Sequence, residues 1–191
     1  MSVHTLKSQI KNCVICTDLP HGIRPVVSFT ANSKILLVGQ APGRRVHQTG
    51  IPFNDPSGDR LREWLGVDRE AFYDEQQFAI VPMGFCYPGT GKAGDFPPRP
   101  ECAMAWREKV VGQLKQVQLT VVIGRYALDY HLPESKRQTV TEAVGNWQQH
   151  WPAIIPLPHP SPRNNRWLKK NPWFEAEVVP ELRARVGNIL S

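Results

Sequence analysis

Four short apolar runs constrain this chain more than any other feature: Ile35–Val38, Phe78–Val81, Thr120–Ile123 and Ala153–Leu157. Each is too short for a helix, rich in Ile and Val, and apolar at consecutive positions rather than alternate ones. That is the signature of a strand covered on both faces, as in a parallel sheet. Helix-competent segments lie between the runs. Residues 57–66 place Leu61, Trp64 and Leu65 on one helical face with Gly66 as the stop, residues 103–118 read as a second helix, and 125–131 as a third. Asn171-Pro172 reads as a cap and first helical position opening a last helix toward Ile189, with Pro180 expected to kink or divide it. Strands alternating with helices give an α/β fold with a mainly parallel four-stranded sheet. The 191 residues suit one domain spanning 1–191.

In such a sheet, ligands bind beyond the carboxyl ends of the strands. The segments that follow the four runs are Gly39-Gln40-Ala41-Pro42-Gly43, Pro82-Met83-Gly84-Phe85-Cys86, Gly124-Arg125-Tyr126 and Pro158-His159-Pro160-Ser161-Pro162. All four are polar or Gly/Pro-rich, and all should fall on one edge. The last is the most restrictive. Proline fixes its own φ and limits the residue before it, so His159 and Ser161 are held in a stiff, extended loop. An imidazole there suits stabilisation of an anion on a leaving group, and Ser161 or nearby backbone N–H groups suit a phosphate.

GQAPG lacks both the GxGxxG of a dinucleotide site and the GK[ST] of a P-loop, which argues against a nucleotide cofactor. Its glycines serve a tight turn or a functional loop equally well. Phe53, after a proline in the segment RRVHQTGIPFND, is placed either to stack on a planar ligand or to pack in the core. His47 reads first as a surface histidine and second as an acid–base group.

A net charge of +6 points weakly toward a polyanion. The stretch RNNRWLKK, from Arg163 to Lys170, concentrates that charge: four cations, no acid, and Trp167 among them. It reads either as a solvated helix start or as a phosphate-contacting patch with an aromatic beside it. No run of apolar residues is long enough for a membrane span. The N-terminal segment has no apolar signal core, so a cytoplasmic location is expected.

Cysteines stand at 13, 16, 86 and 102. Cys13-Val-Ile-Cys16 has a chelating spacing, and Cys86 and Cys102 bracket a Pro/Gly-rich segment that needs an anchor. A four-thiolate site is the expectation, holding either an iron–sulfur cluster or tetrahedral zinc.

Taken in order, CVIC, GQAPG with a following G-x-PF, a cysteine just after the second strand, PPRPEC and HPSP resemble the uracil-DNA glycosylase superfamily, most closely its iron–sulfur (family four) branch. The likeness covers nearly the whole chain. It implies a monomeric three-layer α/β/α enzyme that acts on DNA, flips a damaged base from the duplex and hydrolyses its N-glycosidic bond. It implies a structural [4Fe–4S] cluster on Cys13, Cys16, Cys86 and Cys102, in place of zinc. By the same resemblance His159 stabilises the leaving base, Phe53 stacks on it, and the Gln40–Ala41 backbone touches its edge. Ser161 grips the DNA backbone, Arg163, Asn164 and Asn165 lie near the gap left in the duplex, and Arg166 and Lys169 extend the DNA-binding surface.

The chain also departs from that branch. Ala41 stands where the best-studied uracil-removing enzymes carry Asp or Asn to position water, though the iron–sulfur branch also has alanine there. Gln40 replaces its usual Glu, and HQTGIPFND looks like the Q-T-G-x-PF stretch of the single-strand-selective glycosylases. Pro82 replaces an asparagine that reads the uracil edge. The Met83 backbone or Asn54 is then the expected substitute reader, and His47 and Asp55 the candidates for positioning water. The activity implied is release of uracil or a related deaminated base. Hypoxanthine or xanthine release is the alternative, as is a non-catalytic relative that binds damaged or single-stranded DNA.

Overall fold

A computed structural model describes residues 2–191. Its central sheet has four strands, all parallel: β1 Ile35–Val38, β2 Phe78–Ile80, β5 Leu119–Ile123 and β6 Ile154–Leu157, in the order β2-β1-β5-β6. A two-stranded antiparallel hairpin, β3 Thr90–Gly91 and β4 Gly94–Asp95, stands apart from it. The sequence gives no alternating pattern for so short a hairpin. The four apolar runs match the sheet strands to within one residue at an end.

Side chains along each strand alternate between two cores. Ile35, Leu37, Val121, Ile155 and Leu157 pack on one face with Leu61, Trp64, Phe174 and Leu182. Leu36, Val38, Ala79 and Val122 pack on the other with Leu6, Ile10, Val110 and Leu128. The first face is covered by helices Pro56–Leu65 and Val179–Leu190, the second by Val3–Lys11, Glu108–Val111 and Arg125–His131. Apolar burial on both faces of a sheet drives this three-layer arrangement. Pro156, which has no N–H, sits in the edge strand β6, where a missing ladder donor is tolerated. At the opposite edge, Ser28 bonds reciprocally with Ile80 and closes the ladder.

Helix Pro56–Leu65 starts at the Asp55 cap, whose Oδ1 accepts from Gly58 N, and stops at Gly66 in the left-handed region. The helix expected over 103–118 is shorter: a first turn Pro100–Cys102, a π-helical turn Ala103–Arg107 and a last turn Glu108–Val111. It ends at Gly112, a poor helix former, after which Leu114 turns back into the core. Asn171 does not cap the last helix with its side chain. Its Nδ2 donates to Trp167 O and its Oδ1 accepts from the Trp173 indole. Pro180 does divide the C-terminal helical run, through a π-helical turn at Phe174–Val178 that leads into helix Val179–Leu190. Among the described residues, no helix is long and apolar enough to cross a membrane.

Candidate active site

Beyond the carboxyl ends of the strands lies a cleft of about 540 Å³, within the range of small-molecule and base pockets. The loops after β1, β2 and β6 line it, together with Phe53, Asp55 and the tip of the hairpin. The loop after β5 does not. Gly124, at φ 79°, turns the chain straight into helix Arg125–His131, and Arg125 is spent on Asp129, Ser135 O and Gln138 O. The expected convergence of four loops is therefore a convergence of three.

His159 is the best-held group in the cleft. The Ser161 backbone N–H donates to its Nδ1 at 3.2 Å, which makes Nδ1 the acceptor and leaves the ring proton on Nε2. Burial pushes its pKa below the ordinary histidine value, partly offset by the charges of Asp55 and Asp95. The ring is thus neutral at pH 7, with one N–H to give. The loop is clamped from outside: Asn164 Nδ2 donates to His159 O at 2.7 Å, and Arg60 reaches Ser161 O at 3.1 Å and Asn165 Oδ1 at 2.7 Å. Arg60 carried no signal in the sequence, because it is one cation on the polar side of an amphipathic helix.

The backbone amides of Ser161, Arg163 and Asn164 are not free for phosphate as expected. Ser161 N serves His159, Arg163 N donates to Ser161 Oγ, and Asn164 N donates to Ser161 O. The Ser161 hydroxyl proton and the Arg163 guanidinium remain for that task. Arg163 lines the cleft, whereas Arg166 and Lys169 are exposed on helix Asn165–Lys170 outside it. Trp167 turns inward: its indole donates to Thr141 Oγ1 and its ring packs against Phe174. It belongs to the core and not to a surface patch.

Phe53 adopts φ 51°, a left-handed conformation unusual for a non-glycine residue, and its ring lines the cleft edge-on to Phe72. Such backbone costs about 1–3 kcal/mol and persists only where its surroundings enforce it. Gly58 makes room for it here: a Cβ at that position would stand 1.7 Å from Phe53 O. Gly39 lies below the ring, its hypothetical Cβ 3.6 Å from Phe53 Cζ.

Gln40 and Ala41 line the cleft, and their backbone amides carry no hydrogen bond among the described residues. The Gln40 side chain donates to Phe96 O at 2.9 Å and so ties down the hairpin. The expected substitutes for Pro82 as base readers are otherwise engaged. Met83 is buried and its N–H donates to Gly39 O at 2.8 Å, while Asn54 Oδ1 accepts from Arg69, outside the cleft. His47 also stands outside, on helix Arg44–Thr49, with its ring against His21 and Tyr87. Asp55 lines the cleft as the cap of its helix. Asp95, absent from the sequence reading, is delivered to the cleft by the hairpin.

Cys13, Cys16, Cys86 and Cys102 line a second cavity, walled by Ile10, Ile15, Phe85 and Trp106. None is in a disulfide. Burial pushes the Cys86 thiol up to about 11 and Cys102 up to about 12, and Phe85 N donates to Cys102 Sγ at 3.3 Å. Among the described residues, no three His, Cys, Asp or Glu side chains are arranged to hold a metal ion. The four thiols do line one largely apolar cavity, although three of them are only partly buried.

A family model described as the uracil DNA glycosylase superfamily matches residues 27–183. The Type-4 uracil-DNA glycosylase of Thermotoga maritima is 27% identical over 165 residues, covering 82% of this chain and 80% of that protein. The fold is similar to the solution NMR structure of a Methanosarcina acetivorans protein assigned to the uracil DNA glycosylases. The TM-score is 0.50 at 16% identity, over 83% of this chain and 94% of that one. With a family model that spans the sheet, the cleft and the histidine loop, this chain belongs to the uracil DNA glycosylase superfamily and is a DNA glycosylase.

Proposed function

We propose that the protein removes uracil, or a closely related deaminated base, from DNA. The observation that carries this reading is the neutral His159, with its Nε2 proton fixed by the Ser161 amide in a cleft that Phe53 also lines. When the bond between C1′ and the base nitrogen breaks, its electron pair leaves with the base. A fixed N–H at the base carbonyl stabilises that anion without reorganising at the moment of reaction. Phe53 offers a flat apolar face to an unstacked base, and Ser161 with Arg163 suits the adjacent phosphate. The free amides of Gln40 and Ala41 supply donors for a base carbonyl, the task for which Pro82 has no N–H.

The same observations favour a second base class. No side-chain amide fixes a pyrimidine edge, and a cleft of about 540 Å³ has room for a purine, so hypoxanthine and xanthine stand as the alternative. Purified protein is incubated with oligonucleotides carrying uracil, hypoxanthine or xanthine, and abasic sites are cut with alkali. Cleavage at uracil supports the first reading and cleavage confined to a purine lesion the second. DNA bound with no lesion released overturns both.

The resemblance to the iron–sulfur branch favours a [4Fe–4S] cluster over zinc at the four thiols. A single zinc ion draws every sulfur to about 2.3 Å from one point, whereas a cluster spreads its ligands around several irons. Cys13, Cys16, Cys86 and Cys102 would hold it, and its contribution is to brace the loops they carry. Those residues join the N-terminal segment, the loop after β2 and the helix after the hairpin. The chain's own side chains do the chemistry at the cleft.

A further inference from the structure

Ala41 brings only a methyl group to the cleft, the Gln40 amide is spent on Phe96, and His47 lies elsewhere. Nothing in the loop after β1 therefore positions the water that must attack C1′. Two carboxylates reach the cleft from other elements. Asp55 caps its helix through Oδ1, which accepts from Gly58 N at 2.9 Å, and its Oδ2, like that of Asp95, carries no partner among the described residues. Asp95 is differently placed. It ends the hairpin, and its Oδ1 accepts from Thr90 Oγ1, which is itself bonded to the hydroxyl of the buried Tyr87. That fixes the carboxylate plane and leaves Oδ2 unengaged. Oδ2 is turned toward the loop after β1, 3.8 Å from where a Cβ on Gly43 would be. The hairpin that carries it is held on two further sides. Gln40 grips Phe96, and the Arg163 guanidinium lies beside Gly94, 3.3 Å from its hypothetical Cβ.

We propose that Asp95 is the carboxylate that orients and deprotonates the attacking water, taking the place that Ala41 leaves empty. This rests on the glycosylase reading. The step balances as a hydrolysis. The C1′–N electron pair departs with the base, whose charge meets the His159 N–H. A water lone pair forms the bond to C1′, and its proton passes to Asp95 Oδ2 and on to solvent or to the released base. The charges of Asp55 and, after it, Asp95 are both felt at His159, so the histidine faces both carboxylates. What singles out Asp95 is its Oδ2, which points at the loop after β1.

Single-turnover excision on whichever lesion the wild type releases tests this. Affinity is measured on the same duplex with a 2′-fluorinated lesion sugar, which resists cleavage. Asp95→Asn should slow excision by about a hundredfold or more, within the range of a lost general base, and leave affinity within about twofold. Asp95→Ala should be equally slow and regain rate in proportion to added formate, a small carboxylate that can occupy the vacated space. Thr90→Val, which frees the carboxylate plane, should fall between the wild type and Asp95→Asn. Asp55→Asn, which keeps a capping oxygen, should stay the faster of the two Asn variants. Wild-type rates in Asp95→Asn, a loss in Asp95→Ala that formate leaves unmoved, or a larger loss in Asp55→Asn overturns the assignment while base excision stands. If the wild type releases no base from any lesion, the glycosylase reading itself fails and takes this one with it.

Discussion

The Ser161 amide and the His159 ring form a contact of 3.2 Å between residues two apart in sequence, and it decides the tautomer of the histidine. Pro160 between them fixes φ, so the short span cannot relax to another geometry. The consequence is a leaving-group donor whose proton position is set by the backbone and not by a carboxylate partner.

His159→Ala should lower excision by about a hundredfold or more while leaving DNA affinity nearly unchanged, as expected for lost stabilisation of developing charge. Asn164→Ala, which removes the bond to His159 O, should give a smaller loss of kcat, about tenfold, without raising KM. Single-turnover kinetics and fluorescence binding separate the two quantities.

Arg163→Ala should weaken binding across lesions alike and reduce the slope of log affinity against log salt by about one phosphate contact. Lys169→Ala, on the exposed helix beyond the cleft, should have the same sign and no effect on the rate of bond cleavage. Titrations at several salt concentrations check this.

Anaerobically purified protein should be yellow-brown, with broad absorption near 400 nm, about as expected of a cluster of this type. Cys86→Ser or Cys102→Ser should bleach that absorption and lower the melting temperature. A colourless protein that carries stoichiometric zinc would transfer the site to the other metal.

Gly58→Ala forces a Cβ to 1.7 Å from Phe53 O and should cost about 3 kcal/mol or more, with excision falling as Phe53 shifts. Gly187→Ala is the control. That residue is exposed in the last helix with open space around it, so alanine should stabilise by about 0.5–1 kcal/mol. Urea denaturation of both variants tests the pair.

His131 accepts from Arg107 Nη2 at 2.8 Å, and burial, with that neighbouring cation, pushes its pKa down to about 4. The unfolded chain takes up this proton near pH 6.5 and the folded chain does not. The stability His131 provides is therefore fully present above about pH 6.5 and is lost as pH falls toward 4. His131→Gln should flatten the decline in urea midpoint across that window.

The sheet was legible because buried parallel strands must be apolar at every position, and the four runs stand out for that reason alone. His159 was legible because prolines on both sides leave a local mark. The remainder of the site depends on contacts between residues far apart in sequence. Asp95 reaches the cleft only because Tyr87, Thr90 and Gln40 hold a hairpin of four paired residues, which is too small for any period to show. Met83 reads as an available donor until its amide is seen paired with Gly39. Trp167 sits among cations in sequence, yet the helix turns its indole to Thr141.

Cys86 and Cys102 mark the two ends of the segment that carries the hairpin, and both converge on the cavity that also holds Cys13 and Cys16. With its ends tied at one place, that segment behaves as an exchangeable cassette. Its interior meets the rest of the cleft chiefly at Gln40, which grips Phe96, and at Arg163, which lies beside Gly94. A lineage built on this plan can therefore alter what it presents to the sugar or the base by changing a few residues between two thiols, with little cost to folding.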